Sequence, residues 1–278
     1  MRNSTMGLAR QLKENHRKDV RAMSNKNNKS KNDEIALGRN FLKSNWKKIE
    51  GYITDQRKGV PVPETEKSFE DIDTVVALVP PEEITTDEVT VKEAISHRKS
   101  RRRFLDVPLT LEELSFLCWA TQGVQNRSGS TVFRTVPSAG ARHSFETYLA
   151  IFNVEGVQPG LYYYQASKNR LIALSLDEDL RMNVDRAIFG QSFGSSVIFL
   201  WSTVPYRMEW RYAPVAHKII ALDAGHVCQN LYLACEAVGC GTCAIGAYNQ
   251  EEVDAVVGLD GKDEFIIYVA PVGKIKKP

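Results

Sequence analysis

Apolar and polar positions divide the chain into a polar start, a proline-marked middle and a long patterned remainder. Residues 24–34, SNKNNKSKNDE, carry no apolar side chain and read as disordered. From 35 to 50 an apolar stripe of Ile35, Leu37, Phe41, Leu42, Trp46 and Ile49 predicts a short helix. Residues 59–82 hold Pro61, Pro63, Pro80 and Pro81 and read as an extended strap.

Regular patterning starts near residue 88. Thr90-Val-Lys-Glu93 is a capping box, so a short helix through Ala94, Ile95 and Arg98 should follow. Thr110-Leu-Glu-Glu113 is a second box. It opens a helix with Leu114, Leu117, Cys118 and Thr121 on one face and Gly123 as its stop. Strand-like runs span Thr147–Val154, Leu161–Gln165 and Arg170–Ser175, with Gly156 and Gly160 turning the first into the second. A helix is expected around Leu180–Phe189, then a continuously apolar buried strand over Ser195–Val204. Val215–Val238 is apolar nearly all round, so this helix must be buried in a core or a subunit interface. Cys243–Tyr248 and Glu264–Val272 complete the strands. Helices and antiparallel strands mix without βαβ alternation, which gives an α+β class. The expected organisation is a basic leader over 1–34, a helix and strap over 35–87, and one domain over 88–278.

Composition adds exclusions. Apolar residues at 43% and charged residues at 25% are ordinary globular values, which excludes collagenous or wholly disordered chains. No apolar run is long enough for a membrane span, and the start lacks the apolar core of a secretory signal. The net charge of +2 conceals an uneven distribution: residues 1–60 carry about +9 and the rest about −7. A basic leader suggests a nucleic-acid contact, but no aromatics interleave its charges, so a solvated segment is the preferred reading. Five cysteines without a secretion signal fit free thiols in a reducing cytoplasm.

Four segments carry candidate chemistry. His97-Arg98-Lys99-Ser100-Arg101-Arg102-Arg103 follows a helix and offers guanidinium forks beside a hydroxyl, as an anionic ligand requires. A solvated basic turn would look the same. Pro137-Ser138-Ala139-Gly140-Ala141 is a run of small residues that lets a flat ligand approach the backbone, or is an ordinary turn. Gly239-Cys-Gly-Thr-Cys-Ala244 matches a loose dinucleotide fingerprint, but it follows a helix and opens a strand, the reverse of the required context. Its Cys240 and Cys243 lack a second ligand pair for zinc and read as small buried residues; no metal site is expected. Asp223-Ala-Gly-His226 places polar groups in an apolar helix. His226 is a proton donor or, more commonly, a hydrogen-bonded packing residue.

Taken in order, these segments resemble the nitroreductase superfamily, and within it the SagB/ThcOx-type dehydrogenase branch. The matching pieces are Arg98–Phe104, Pro108–Leu114, Pro137–Ala141, Pro159–Tyr162, Leu222–His226, Gly241–Gly246 and Val272–Gly273, covering about 88–275. The resemblance implies a mainly antiparallel sheet flanked by helices and an interlocked homodimer with FMN at the subunit interface. It implies that Arg98, Ser100 and Arg102 hold the flavin phosphate and its ribityl and pyrimidine side. Pro137, Ser138, Ala139 and Gly140 would line the ring from the neighbouring chain. Ile245, Gly246 and Ala247 would run along the flavin edge with a backbone N–H toward N5, and Gly241 and Thr242 would sit near the phosphate.

The activity implied is hydride transfer through flavin N5 in a ping-pong cycle, with NADH or NADPH as donor and a small or peptidic acceptor. The narrower alternative is an azoline dehydrogenase of thiazole/oxazole-modified peptide biosynthesis. Azoline-oxidising members show a Lys-Tyr pair before the long helix, whereas this chain reads Arg211-Tyr212. Arginine cannot serve as a base near neutral pH, which leaves Tyr212 either to deliver or accept a proton or to act as a packed aromatic. A non-catalytic flavin-binding or nucleic-acid-binding protein is the remaining alternative, and nothing beyond charge supports it.

Overall fold

A computed structural model describes residues 31–70, 73–129 and 131–276. The leader expected over 1–34 lies outside the described residues up to 30, and residues 31–34 are helical rather than disordered. The chain divides into two units at residue 50. In the first, helix α1 runs over 31–41 and a single 3-10 turn covers Trp46–Ile49. The one helix expected over 35–50 is thus two pieces. The break falls at Ser44-Asn45, where Asn45 turns its amide to the Asn40 carbonyl at 3.1 Å.

In the second unit, seven strands form one antiparallel sheet in the order β1-β6-β5-β4-β7-β9-β8. They are β1 Val75–Ala77, β4 Phe145–Ile151, β5 Gly160–Gln165, β6 Arg170–Ser175, β7 Val197–Thr203, β8 Cys240–Thr242 and β9 Phe265–Lys274. Period-two alternation sorts the side chains. Leu149, Ile151, Val197, Phe199, Trp201, Ala270 and Val272 face one core. Tyr148, Ala150, Ile198, Leu200, Ile266 and Val269 face the other. The central strands are buried on both faces, so their sequences read as continuous apolar runs.

Helices α3 Leu111–Gln122 and α6 Ala216–Ala237 cover the first face, and α4 Leu180–Ala187 and α7 Gln250–Val257 the second. Both predicted capping boxes are present: Thr90 starts α2 Val91–His97 and Thr110 starts α3. Gly123 ends α3 for a steric reason. Its φ is −57°, but a Cβ there would lie 2.3 Å from the Trp119 ring. The strand expected over Cys243–Tyr248 instead lies one turn earlier, at β8. Past it, within 243–248, only the backbone of Ile245 pairs with the sheet, through Val269. The hairpin β2 Val124–Ser128 with β3 Thr131–Arg134, and α5 Tyr206–Tyr212, were not foreseen. α6 buries one face only. Ala216, Ile220, Asp223, Val227 and Leu231 point inward while Leu222 stays exposed, so the core alone does not cover the helix.

Candidate active site

Two clusters of candidate side chains lie along α6. The first is the small-residue loop after β3. Its backbone is strained: φ is +61° at Gly140, +51° at Ala141 and +43° at His143, and +47° at Ala213 at the end of α5. Left-handed backbone at Ala and His costs on the order of 1–3 kcal/mol each and persists only where neighbours enforce it. The enforcing group is Asp223. Its buried carboxylate accepts the Ala139 N–H at 3.2 Å and the Ser138 hydroxyl, while Ser138 Oγ accepts the His143 N–H at 3.0 Å. Burial raises the Asp223 carboxyl above its ordinary range, and the Ser138 and Ala139 donors oppose that rise.

Gly140 faces α5. A Cβ at Gly140 would stand 2.7 Å from Tyr212 Oη and 3.1 Å from Arg211 Cδ and Nε. The loop therefore needs glycine for close approach as well as for φ. Arg211 is exposed, and its guanidinium lies 5.6 Å from the Tyr212 ring centroid. The structure thus brings the loop and the Arg211-Tyr212 pair together within one chain.

The second cluster forms where the basic segment leaves α2. Arg98 caps that helix, and its guanidinium lies 5.2 Å from the Tyr232 ring centroid. Ser100 Oγ is 3.0 Å from Tyr232 Oη, which also accepts the Ala244 N–H at 2.8 Å. Accepting from Ala244 favours Tyr232 as the donor to Ser100, which turns the exposed serine's own proton outward. Arg101 fixes the segment to β8: its N–H donates to the Thr242 carbonyl at 2.8 Å, and its side chain fills the space a Cβ on Gly241 would need. Arg102 is exposed beyond it.

Two expected contacts change character. The Thr242 hydroxyl is spent on the Pro271 carbonyl at 2.9 Å, so Gly241 and Thr242 position the basic segment from beneath. The Ile245 N–H is spent on the Val269 carbonyl at 2.8 Å, which leaves Gly246 and Ala247 as the exposed part of that edge. His226 is exposed, contrary to the packing role expected of it; the buried polar member of that motif is Asp223. Sequence reasoning missed Tyr232, whose only signal is an aromatic hydroxyl in an otherwise apolar stretch. Asp223 and Tyr232 are nine residues apart on α6, which at the helical rise separates the clusters by about 14 Å along the axis.

The antiparallel sheet with helices on both faces, and the two clusters along α6, can be set beside known proteins. The chain belongs to the nitroreductase family, whose model matches residues 95–274. It is 32% identical over 190 residues to a Methanocaldococcus jannaschii protein assigned as a nitroreductase, covering 68% of this chain and 92% of that one. It is 26% identical over 144 residues to the trifolitoxin-processing protein TfxB of Rhizobium leguminosarum bv. trifolii, 48% of this chain and 37% of TfxB. Among solved structures, a Ralstonia eutropha protein assigned as a nitroreductase superposes with a TM-score of 0.61 at 25% identity, over 76% of this chain and 94% of that one. The E. coli microcin synthetase McbBCD complex, with truncated pro-MccB17 bound, matches with a TM-score of 0.55 at 16% identity over 87% and 93% of the chains, a likeness of fold. Among the described residues, no helix is long and apolar enough to cross a membrane.

Proposed function

We propose that the protein is an FMN-dependent oxidoreductase working between NADH or NADPH and a small or peptidic acceptor. The observation that carries this reading is the pair of clusters on α6, one basic and hydroxyl-bearing, the other a side-chain-poor loop beside Arg211 and Tyr212. The residues fit the cofactor. Arg98, Ser100 and Arg102 supply cations and a hydroxyl for a phosphate. Gly246 adjoins open space, with no atom within 4 Å of where its Cβ would be. When bound, the flavin supplies hydride acceptance and donation at N5.

This chain's residues bind and orient. Arg98 and Ser100 hold the phosphate and pyrimidine side, Gly246 or Ala247 presents a backbone N–H along the ring edge, and residues 137–140 line the ring of the partner's cofactor in a homodimer. Tyr212 carries the proton that accompanies reduction of the acceptor. The test is direct. Purified protein should be yellow and release FMN on denaturation, and NADH or NADPH should bleach it under anaerobic conditions. Colourless protein that takes up no added FMN refutes the proposal.

A peptide substrate is the second reading, within a SagB-type branch. It rests on the likeness to TfxB, whose name assigns it to trifolitoxin processing, and to the microcin synthetase complex. Arg211 weighs against azoline oxidation, because that position offers no base. Incubation of wild type and Arg211→Lys with an azoline-containing peptide decides it: oxidation by neither removes this reading.

A further inference from the structure

A groove of about 940 Å³ opens between the strap at 62–68 and the β2–β3 hairpin, within the second unit. Six cations line it: Lys67, Arg127, Arg134, Arg142, Lys168 and Arg207. The carboxylates lining it are Glu64 and Glu66. Lys67 is paired with Glu264, and buried Arg207 with Glu146. Among the described residues the other four cations have no carboxylate partner.

Two of those four are deep. Arg134 and Arg142 are each only 7% exposed. Arg142 donates to the carbonyls of Gly140 and Ala141 at 3.2 and 3.3 Å and lies over the Trp210 ring at 5.3 Å. Arg134 reaches the Gln122 side-chain carbonyl at 3.0 Å and the Thr65 carbonyl at 2.8 Å, and its buried Nε has no acceptor among the described residues. Carbonyl dipoles satisfy donors but leave the charge. A buried guanidinium without a counter-charge is costly, and the fold holds two of them at one groove. The positive field is felt nearby: burial, then Arg134, with Arg142 and Arg207 adding, push the His143 imidazole down to about 4.

We propose that this groove is an oxyanion subsite that takes the phosphate of a nucleotide-sized ligand. One phosphate group concentrates up to two charges on a single centre, which suits a groove lined by two buried guanidiniums without carboxylate partners. An acidic peptide would have to bring two neighbouring side chains to the same floor. The volume falls in the range of small-molecule sites. Arg127 and Lys168 are exposed at the rim and draw the ligand in. The groove touches the small-residue loop through the Arg142–Gly140 bond, so a dinucleotide seated here with its nicotinamide toward that loop is the ligand that joins this subsite to the proposed reaction. The oxyanion assignment itself does not depend on the flavin reading.

The experiment is calorimetric titration of the full-length protein, as purified, with pyrophosphate, ADP, NADH and NADPH. Wild type should bind pyrophosphate saturably. The exposed-rim double variant Arg127→Ala/Lys168→Ala and the floor variant Arg142→Gln should each weaken binding roughly tenfold, with circular dichroism and bound-flavin content unchanged in the rim variant. Displacement of pyrophosphate by NADPH alone assigns the subsite to the donor's extra phosphate. Displacement by ADP, NADH and NADPH alike assigns it to a nucleotide diphosphate. Either supports the subsite. Absence of pyrophosphate binding, equal binding in all variants, or loss of flavin with the rim variant overturns it. Protein that takes up no added FMN yet still binds pyrophosphate in this pattern would refute the proposed oxidoreductase and leave the subsite standing.

Discussion

The Asp223 carboxylate on α6 accepts the backbone N–H of Ala139 at 3.2 Å and, with the Ser138 hydroxyl it also accepts, ties the long helix to the strained loop. Removing it should release the strain as disorder. Asp223→Ala leaves the Ala139 N–H and Ser138 hydroxyl without their acceptor, at a cost of about 1–3 kcal/mol. The urea midpoint should fall accordingly, and protease nicking should appear at 138–142. An unchanged midpoint with a protected loop would show that the loop holds itself.

Asp223 also predicts a pH dependence. Its folded-state pKa is raised above the unfolded value of 3.8, mainly by burial. The stability it contributes is therefore fully present below that value and is lost as pH rises through the folded value. Asp223→Asn should flatten this part of the profile. Denaturation midpoints at successive pH values above 3.8 in both proteins provide the comparison, and parallel profiles would exclude Asp223 as the source.

His143 carries the opposite sign. Burial and the surrounding guanidiniums lower it from 6.5 to about 4 in the folded state. Its contribution is present above 6.5 and lost as pH falls through about 4. A depression of that size corresponds to roughly 3 kcal/mol. His143→Asn, which keeps a side-chain polar group at this left-handed position, should lose that acid sensitivity. A variant as acid-labile as wild type would place the sensitivity elsewhere.

How much of this was legible in the chain depends on how local the cause is. Capping boxes at Thr90 and Thr110, and the continuous apolar run of β7, are written in a few adjacent residues. The β2–β3 hairpin was not legible because β2 is mostly polar and exposed and one of the two buried positions of β3 is an arginine, Arg134, so no apolar alternation marks it. Cys243–Tyr248 misled because its apolar residues satisfy burial without pairing: only the backbone of Ile245 pairs with the sheet. At the site, Arg98, Ser100 and Gly140 were identified as individual segments, but their partners Tyr232, Asp223 and Tyr212 lie more than 70 residues away in sequence. Asp223 and His226 have comparable polarity in the same motif, and only the packing of α6 decides which of them is buried.

The buried ion pair of Arg207 with Glu146 gives a test of the loop's second support. Glu146 also accepts the Tyr163 hydroxyl at 2.6 Å, and Arg207 donates to the His143 carbonyl at 3.4 Å. Glu146→Gln would leave the Arg207 charge buried without its counter-charge, which should cost about 3–5 kcal/mol. The double variant Glu146→Leu/Arg207→Met removes both charges and should recover much of that loss. A double variant no better than the single one would mean that the hydrogen bonds to Tyr163 and His143, rather than the uncompensated charge, set the cost.

The approach of Gly140 to Tyr212 can be measured as a coupling. Gly140→Ala meets two penalties: a left-handed φ of +61° and a Cβ placed 2.7 Å from Tyr212 Oη. Together they should destabilise by about 1–3 kcal/mol. Tyr212→Phe removes the oxygen and so relieves the second penalty while leaving the first. In a double-mutant cycle, Gly140→Ala should therefore cost less in the Tyr212→Phe background, by an interaction energy of about 0.5–1 kcal/mol. The same four proteins, assayed for reduction of an acceptor, separate the roles of the tyrosine. If Tyr212 carries the proton, Tyr212→Phe should lower turnover with little effect on stability, whereas Gly140→Ala should lower both. Additive costs would show that the loop and α5 do not press on each other, and unchanged turnover in Tyr212→Phe would assign the tyrosine to packing.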